Sequence, residues 1–271
     1  MIEILQTRHL MPIVTALYLL YLAAPIALLA IGSVGQSWTN SLLPSGLTAG
    51  WYGQLWSDAS FRRAFTVSLT VCTATCAVTA LIGVPLAYAI YGASRRGLRA
   101  AARVLFLLPV AAPPLVLGFG FILVFSSDSL PFLGSGWLLV AGHVVSTLPY
   151  LMQTLVADMR HLDLVTLETA AESLGAGFRQ RLFGIVIPSL RQSLSSGLIM
   201  VAALSIGEFQ LSNLIAGFLS RPYPVVLLQA FYGATGFACA GTMLLLLLAV
   251  LSALASASAG RGLPSRKGTP S

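Results

Sequence analysis

Few side chains in this chain could do chemistry. Glu208 is the one acid well inside an apolar run, and because burying its charge is costly, function is the default hypothesis for such a residue. Two readings stay open: contact with a solute or a gate, or a structural carboxyl that faces a watery vestibule or is protonated and bonded to Ser205 or Gln210. His143, also inside an apolar run, divides in the same way between a pathway group and a hydrogen-bonded packing residue. Cys72, Cys76 and Cys239 all fall in apolar runs, which supports small packing side chains and gives no disulfide framework or C-x-x-C metal site. Lys267 is the only lysine and lies in the tail, so a G-x-x-x-x-G-K-[ST] phosphate loop cannot be assembled. No G-x-S-x-G elbow, H-E-x-x-H helix or pair of intramembrane carboxylates occurs either. We expect neither an enzyme nor a resident cofactor or metal.

The informative polar segment spans residues 158–193. Asp163 suits a helix N-cap, and Leu164, Leu167, Ala171 and Leu174 recur at helical spacing until Gly175, which suits a C-terminal cap. This predicts a short amphipathic helix whose stripe is too small to build a domain. It must dock on the cytoplasmic ends of its own bundle or on another protein. A second helix follows with Phe178, Leu182, Phe183 and Ile185, and Pro188 is expected to end or kink it.

The elements that position these residues are set by composition. Of 271 residues, 57% are hydrophobic and 8% charged, against roughly a quarter charged in an average soluble domain. A spanning helix takes about 20 apolar residues. Six runs qualify, at 11–31, 65–91, 104–125, 137–157, 194–215 and 236–258. Twelve of the fifteen basic residues fall in the N-terminal segment 1–10, the loops 92–103 and 158–193, and the tail 259–271. Only Arg62, Arg63 and Arg221 lie in the alternate loops 32–64 and 216–235, so both termini are expected in the cytoplasm. The basic residues form short runs between apolar segments, which fixes orientation in lipid and gives no nucleic-acid face. The first run, Leu10 to Ile31, is too long for a secretory signal core and reads as a retained helix.

Within the second run, Ser68, Cys72, Thr75, Cys76, Thr79 and Gly83 make a stripe of small side chains suited to close helix packing. Pro109, Pro113, Pro114, Gly118 and Gly120 predict a bent third helix inside the bundle. Trp38, Trp51, Tyr52 and Trp56 in the loop 32–64 suggest an interfacial loop or short helix, with docking of an external partner as the alternative. The tail, rich in Ser, Gly and Pro, is expected to be disordered.

On the segment 158–193 the sequence resembles the permeases of binding-protein-dependent ATP-binding cassette importers. That family has a Glu-Ala-Ala helix, a glycine after three intervening residues, and an Ile-x-Leu-Pro element about a dozen residues on. Here Ala170-Ala171, Gly175-Ala176 and Ile185-Val186-Ile187-Pro188 fall in register. Thr169 stands at the usual glutamate position, with Glu168 one step earlier and Glu172 on a neighbouring face, and Ile187 replaces leucine. Pro85-Leu-Ala-Tyr88, Leu108-Pro109 with Pro113-Pro114, Leu148-Pro149-Tyr150 and Gly207-Glu208-Phe209 extend the likeness over nearly the whole chain.

The resemblance implies an all-α, polytopic membrane protein with six transmembrane helices and the type I importer permease fold, in the plasma (inner) membrane. It implies a second permease subunit, identical or different, cytoplasmic ATP-binding cassette ATPases, and an extracytoplasmic solute-binding protein. Glu168, Thr169, Ala170, Ala171, Glu172, Leu174, Gly175, Ala176, Ile185 and Pro188 are then the coupling residues toward the ATPase, with Gly175 giving close backbone approach or positive φ. The layout is similar to the polyamine, aminoalkylphosphonate, ferric iron and thiamine group, and among these the reading leans to spermidine or putrescine. A stand-alone secondary transporter using Glu208 and His143 as a relay is the competing class.

Overall fold

The computed structural model describes residues 2–38, 43–93 and 95–261. In chain order it contains α1 (Ile2–Val34), β1 (Gly35–Ser37), β2 (Ser45–Leu47), α2 (Gly50–Ser57), α3 (Ala59–Gly92), α4 (Arg96–Ala111), α5 (Pro114–Phe125) and α6 (Gly136–His161). There follow α7 (Leu164–Ser173), α8 (Phe178–Arg181), a π-helical turn (Leu182–Val186), α9 (Ile187–Gly207), α10 (Gln210–Ile215), a 3₁₀ turn (Phe218–Ser220), α11 (Tyr223–Gly233) and α12 (Thr235–Arg261).

Four helices among the described residues are long and apolar enough to cross a membrane: Met11–Val34, Ala59–Gly92, Gly136–His161 and Phe178–Gly207. The pair α4 and α5 makes a fifth if counted as one broken span, and Thr235–Leu247 is a shorter apolar stretch of α12. The third run, expected as one bent helix over 104–125, is broken at Ala112 and Pro113, where the two halves meet at 99°. A residue before proline is pushed out of the helical region. Ala112 (ψ 131°) and Pro113 (ψ 139°) each precede a proline and are each extended.

The fifth helix begins much earlier than 194. Pro188 does not end it, because the π turn absorbs the proline. In a continuous α-helix the ring would clash with the carbonyl four residues back. Here the ladder has already slipped by one residue, with Ile187 N–H bonded to Leu182 O. The same run does not reach 215 as a helix, since it unwinds at Glu208 and restarts at Gln210. At the C-terminus, α12 runs to Arg261, so 259–261 are helical where a disordered tail was expected; residues 262–271 lie outside the described part.

Two compact units are present. In the unit Met1–Arg62 with Leu227–Ser271, α1 packs on α12, and Gly32 lets them approach: a Cβ there would lie 2.8 Å from Cys239 Sγ. The loop after α1 is a two-stranded antiparallel hairpin, Gly35 opposite Leu47, followed by the short α2. Trp51 Nε1 donates to Gly35 O at 2.8 Å and Tyr52 Oη to Ser33 Oγ at 2.9 Å, while Trp56 stays exposed. The aromatic loop is thus partly folded onto its own unit.

In the unit Arg63–Val226, α6 is the central element. One core cluster gathers Leu151, Met152, Leu155 and Met159 of α6 with Leu164, Val186, Leu190 and Val201. A second gathers Leu139, Val140 and Val144 with Leu211 and Ile215 of α10. Glycine sets the helix spacing: a Cβ on Gly197 would lie 2.5 Å from Leu151 Cδ1, and one on Gly118 2.5 Å from Leu214 Cδ1. The small-residue stripe on α3 behaves as its spacing suggests. Cys72 Sγ faces Ala202 O and Cys76 Sγ faces Leu198 O across to α9, and Ser68 Oγ accepts from Tyr223 N–H at 2.8 Å.

Candidate docking helix and intramembrane polar cluster

The short helix α7 is tied at both ends by backbone geometry. The chain leaves α6 through Asp163, which sits in the left-handed region (φ 44°) and makes no side-chain cap to the backbone. Asp163 thus holds the N-cap position that its type suggests, but its carboxylate accepts from Thr166 Oγ1 at 2.6 Å in place of a backbone N–H. The helix ends as a Schellman turn, with Gly175 N–H bonded to Glu172 O (2.9 Å) and Ala176 N–H to Ala171 O (3.0 Å). Gly175 has φ 84°, and nothing in the chain lies within 4 Å of where its Cβ would be. Glycine is required here for the turn and not for packing within the chain.

The stripe expected on one face divides. Leu164 is fully buried in the core and Ala171 half-buried, whereas Leu167 is exposed and Leu174 is 89% exposed because the turn directs it away. Val165, Thr169, Ala170, Phe178 and Phe183 are exposed as well. Thr169 Oγ1 bonds back to Val165 O within its own helix. Ile185 packs against the first core cluster, and Pro188 is exposed beyond the π turn, so these two residues shape the fold more than they present a docking face.

The two acids of α7 have different partners. Glu168, half-buried, turns inward and accepts from Tyr88 Oη of α3 at 2.8 Å. The Tyr88 ring meets that of Phe178 at 6.2 Å, and Tyr91 Oη accepts from Val165 N–H at 3.4 Å. Glu172 is exposed and forms an ion pair with Arg181 of α8, which folds the second helix back on the first. Gln180 Oε1 accepts from Gly177 N–H at 2.8 Å and starts α8.

His143 and Glu208 fall in one polar cluster. His143 is 1% exposed, with Nδ1 at 2.8 Å from Ser205 Oγ on α9 and Nε2 at 2.9 Å from Ser212 Oγ on α10. The imidazole therefore bridges the two sides of the break in the fifth run. Glu208 sits at that break, half-buried, with Oε1 accepting from Leu211 N–H (3.1 Å) and Oε2 from Ser212 N–H (3.0 Å). Its carboxylate satisfies backbone donors freed where α10 begins. It makes no bond to the Ser205 or Gln210 side chains of the kind weighed from sequence. Among the described residues no group of three or more His, Cys, Asp or Glu could hold a metal ion.

Tyr88, Tyr91, Arg181, Ser205 and Ser212 were not singled out as site residues from the sequence. Tyr88 lies within Pro85-Leu-Ala-Tyr88 and Arg181 among the loop arginines, but nothing local tells which acid each would meet.

Residues 83–261 match the family described as binding-protein-dependent transport system inner membrane component. The chain is 26% identical over 205 residues to the putative 2-aminoethylphosphonate transport system permease protein PhnV of Salmonella typhimurium, covering 75% of each. It is 28% identical over 203 residues to the spermidine/putrescine transport system permease protein PotC of Escherichia coli K12, again covering 75% of each. In fold it is similar to a chain of a bacterial alginate ABC transporter in complex with an alginate pentasaccharide-bound periplasmic protein. That likeness has a TM-score of 0.71 at 15% identity and covers 91% of this chain and 90% of the other.

Proposed function

The chain belongs to the family of binding-protein-dependent transport system inner membrane components, a permease subunit of an ABC importer, and from that premise we propose that α7 is its contact with a cytoplasmic ATPase. The observation that carries the proposal is the uncovered surface of Val165, Leu167, Thr169, Ala170 and Leu174 on a helix closed by a glycine turn. Apolar side chains held out on a rigid ten-residue helix suit a groove in a partner protein. Closure of the ATPase dimer on nucleotide then displaces α7, and the helices attached to it change the side to which the pathway opens. The six-span arrangement with both termini in the cytoplasm belongs to the same reading, supported by the charge asymmetry of the loops. A second permease subunit completes the pathway, and an extracytoplasmic solute-binding protein delivers the solute.

For the solute we favour a polyamine such as spermidine or putrescine. The reading is supported by likeness to one relative that names these, and by a second relative that names 2-aminoethylphosphonate, since both cargos carry a primary ammonium group. To Glu208 we assign the pathway contact with such a cation; its support is a half-buried carboxylate at an unwound turn inside an apolar run. To His143 we assign the joining of the broken helix.

The test is reconstitution of this chain with its ATPase, its companion permease and its receptor in proteoliposomes. Cysteine at position 174 should crosslink to the ATPase, and uptake should require ATP. Uptake by this chain alone, without any ATPase, would overturn the reading in favour of a secondary transporter. A receptor that binds no amine-bearing solute would reject the choice of cargo while leaving the coupling role standing.

A further inference from the structure

We propose that Tyr88 and Glu168 are positioning residues whose hydrogen bond is an internal strut, carrying the displacement of α7 to the cytoplasmic end of α3. The inference rests on the reading that α7 docks on an ATPase. It concerns what happens after docking.

The chain links α7 to its neighbours unequally. On one side a two-residue turn, Leu162 and Asp163, joins it to α6; on the other, Leu174 to Gly177 joins it to α8 and so to α9. Movement of α7 reaches those helices through covalent backbone. The helix α3 has no such link, since Tyr88 and Glu168 are eighty positions apart. Its connection to α7 is through side chains, the Tyr88 hydroxyl on Glu168 and the Tyr91 oxygen on the Val165 amide, while the Tyr88 ring meets Phe178 at the start of α8. A phenol donating to a carboxylate at 2.8 Å is a charge-assisted bond, stronger than a neutral one, and both groups are half-buried, where water competes less. Leu164, fully buried one turn before Glu168, seats the same face of α7 in the core.

Glu168 is therefore directed into its own chain and not toward a foreign surface. The outward face carries Thr169, whose hydroxyl is satisfied within the helix, at the position where an acid would project. The displaced acid, one residue earlier, lies about 100° round the helix and reaches α3.

The experiment uses the complete reconstituted complex and measures solute transported per ATP hydrolysed, together with crosslinking of Leu174→Cys to the ATPase. Tyr88→Phe keeps the ring on Phe178 and removes only the hydroxyl. Glu168→Gln keeps an oxygen that can accept from it, and Glu168→Ala keeps none. We expect Tyr88→Phe and Glu168→Ala to lower the transport ratio about tenfold, the loss of one charge-assisted bond. Glu168→Gln should stay within about threefold of the parent, because a neutral acceptor still closes the bond. The pair Tyr88→Phe with Glu168→Ala should be no worse than either alone, and crosslinking should be unchanged in every variant. A parental ratio for Tyr88→Phe overturns the strut. So does a Glu168→Gln as impaired as Glu168→Ala, which would mean that charge and not bonding matters. Failure of Leu174→Cys to crosslink in the otherwise parental chain refutes the docking reading itself and takes the strut with it.

Discussion

Replacing Gly175 separates two physical demands on the docking loop. The residue has φ 84°, and its amide and that of Ala176 close the end of α7 on Glu172 O and Ala171 O. An L-residue with a Cβ pays about 1–2 kcal/mol to occupy this left-handed conformation, whereas asparagine enters it more readily. No atom of the chain lies within 4 Å of the added Cβ, so packing inside the chain contributes nothing to the cost. If the turn must be formed for docking, Gly175→Ala lowers the population of the competent loop by up to about 5- to 30-fold. The half-saturating concentration of ATPase then rises by the same factor. Gly175→Asn should stay within about threefold if backbone conformation is the whole demand. Titration of the purified ATPase onto the permease in nanodiscs, read by ATP hydrolysis or by fluorescence anisotropy, gives the number directly. Equal weakening by alanine and asparagine would show that the partner's backbone fills the space and that φ is secondary. Unchanged binding of the alanine variant would refute the conformational argument.

Two further outcomes follow from the core of the unit Arg63–Val226. His143→Leu leaves the Ser205 and Ser212 hydroxyls without their shared partner; at about 0.6 to 1.7 kcal/mol per intramembrane hydrogen bond, it should cost roughly 1–3 kcal/mol, seen as a lower Tm in detergent. A parental Tm would show that the imidazole does not hold the broken helix. Gly197→Ala drives a methyl into Leu151 Cδ1 and should destabilise by about 1–3 kcal/mol, with Leu151→Ala in the same chain restoring part of the loss. Additive losses in that double variant would mean the two helices do not meet there.

Much of the arrangement was legible in local sequence because the signals are themselves local. Pro113 and Pro114 made a bend in the third run certain, and only its size, a full break at 99°, needed the structure. Gly175 announced the end of α7, since few residues accept its φ. Asp163 holds the N-cap position that its type suggests, but the tight turn out of α6 puts its backbone in the left-handed region and turns the carboxylate to Thr166 Oγ1, which residue identity does not show. That Pro188 would not end its helix was not legible, because the π turn that accommodates it has no signature of its own.

Residue order alone carries the character of each segment: which stretches are apolar, where prolines and Gly175 interrupt them, which loops carry the positive charge, and which family the order of motifs resembles. These follow from transfer free energies and backbone conformations that belong to single residues or short runs. Partnership between side chains comes from the fold. Glu168 meets Tyr88, Glu172 meets Arg181, His143 spans Ser205 and Ser212, and Glu208 caps the helix that follows it. A hydrogen bond depends on distance and direction to a group that, for His143, is 62 or 69 positions away, and composition carries neither.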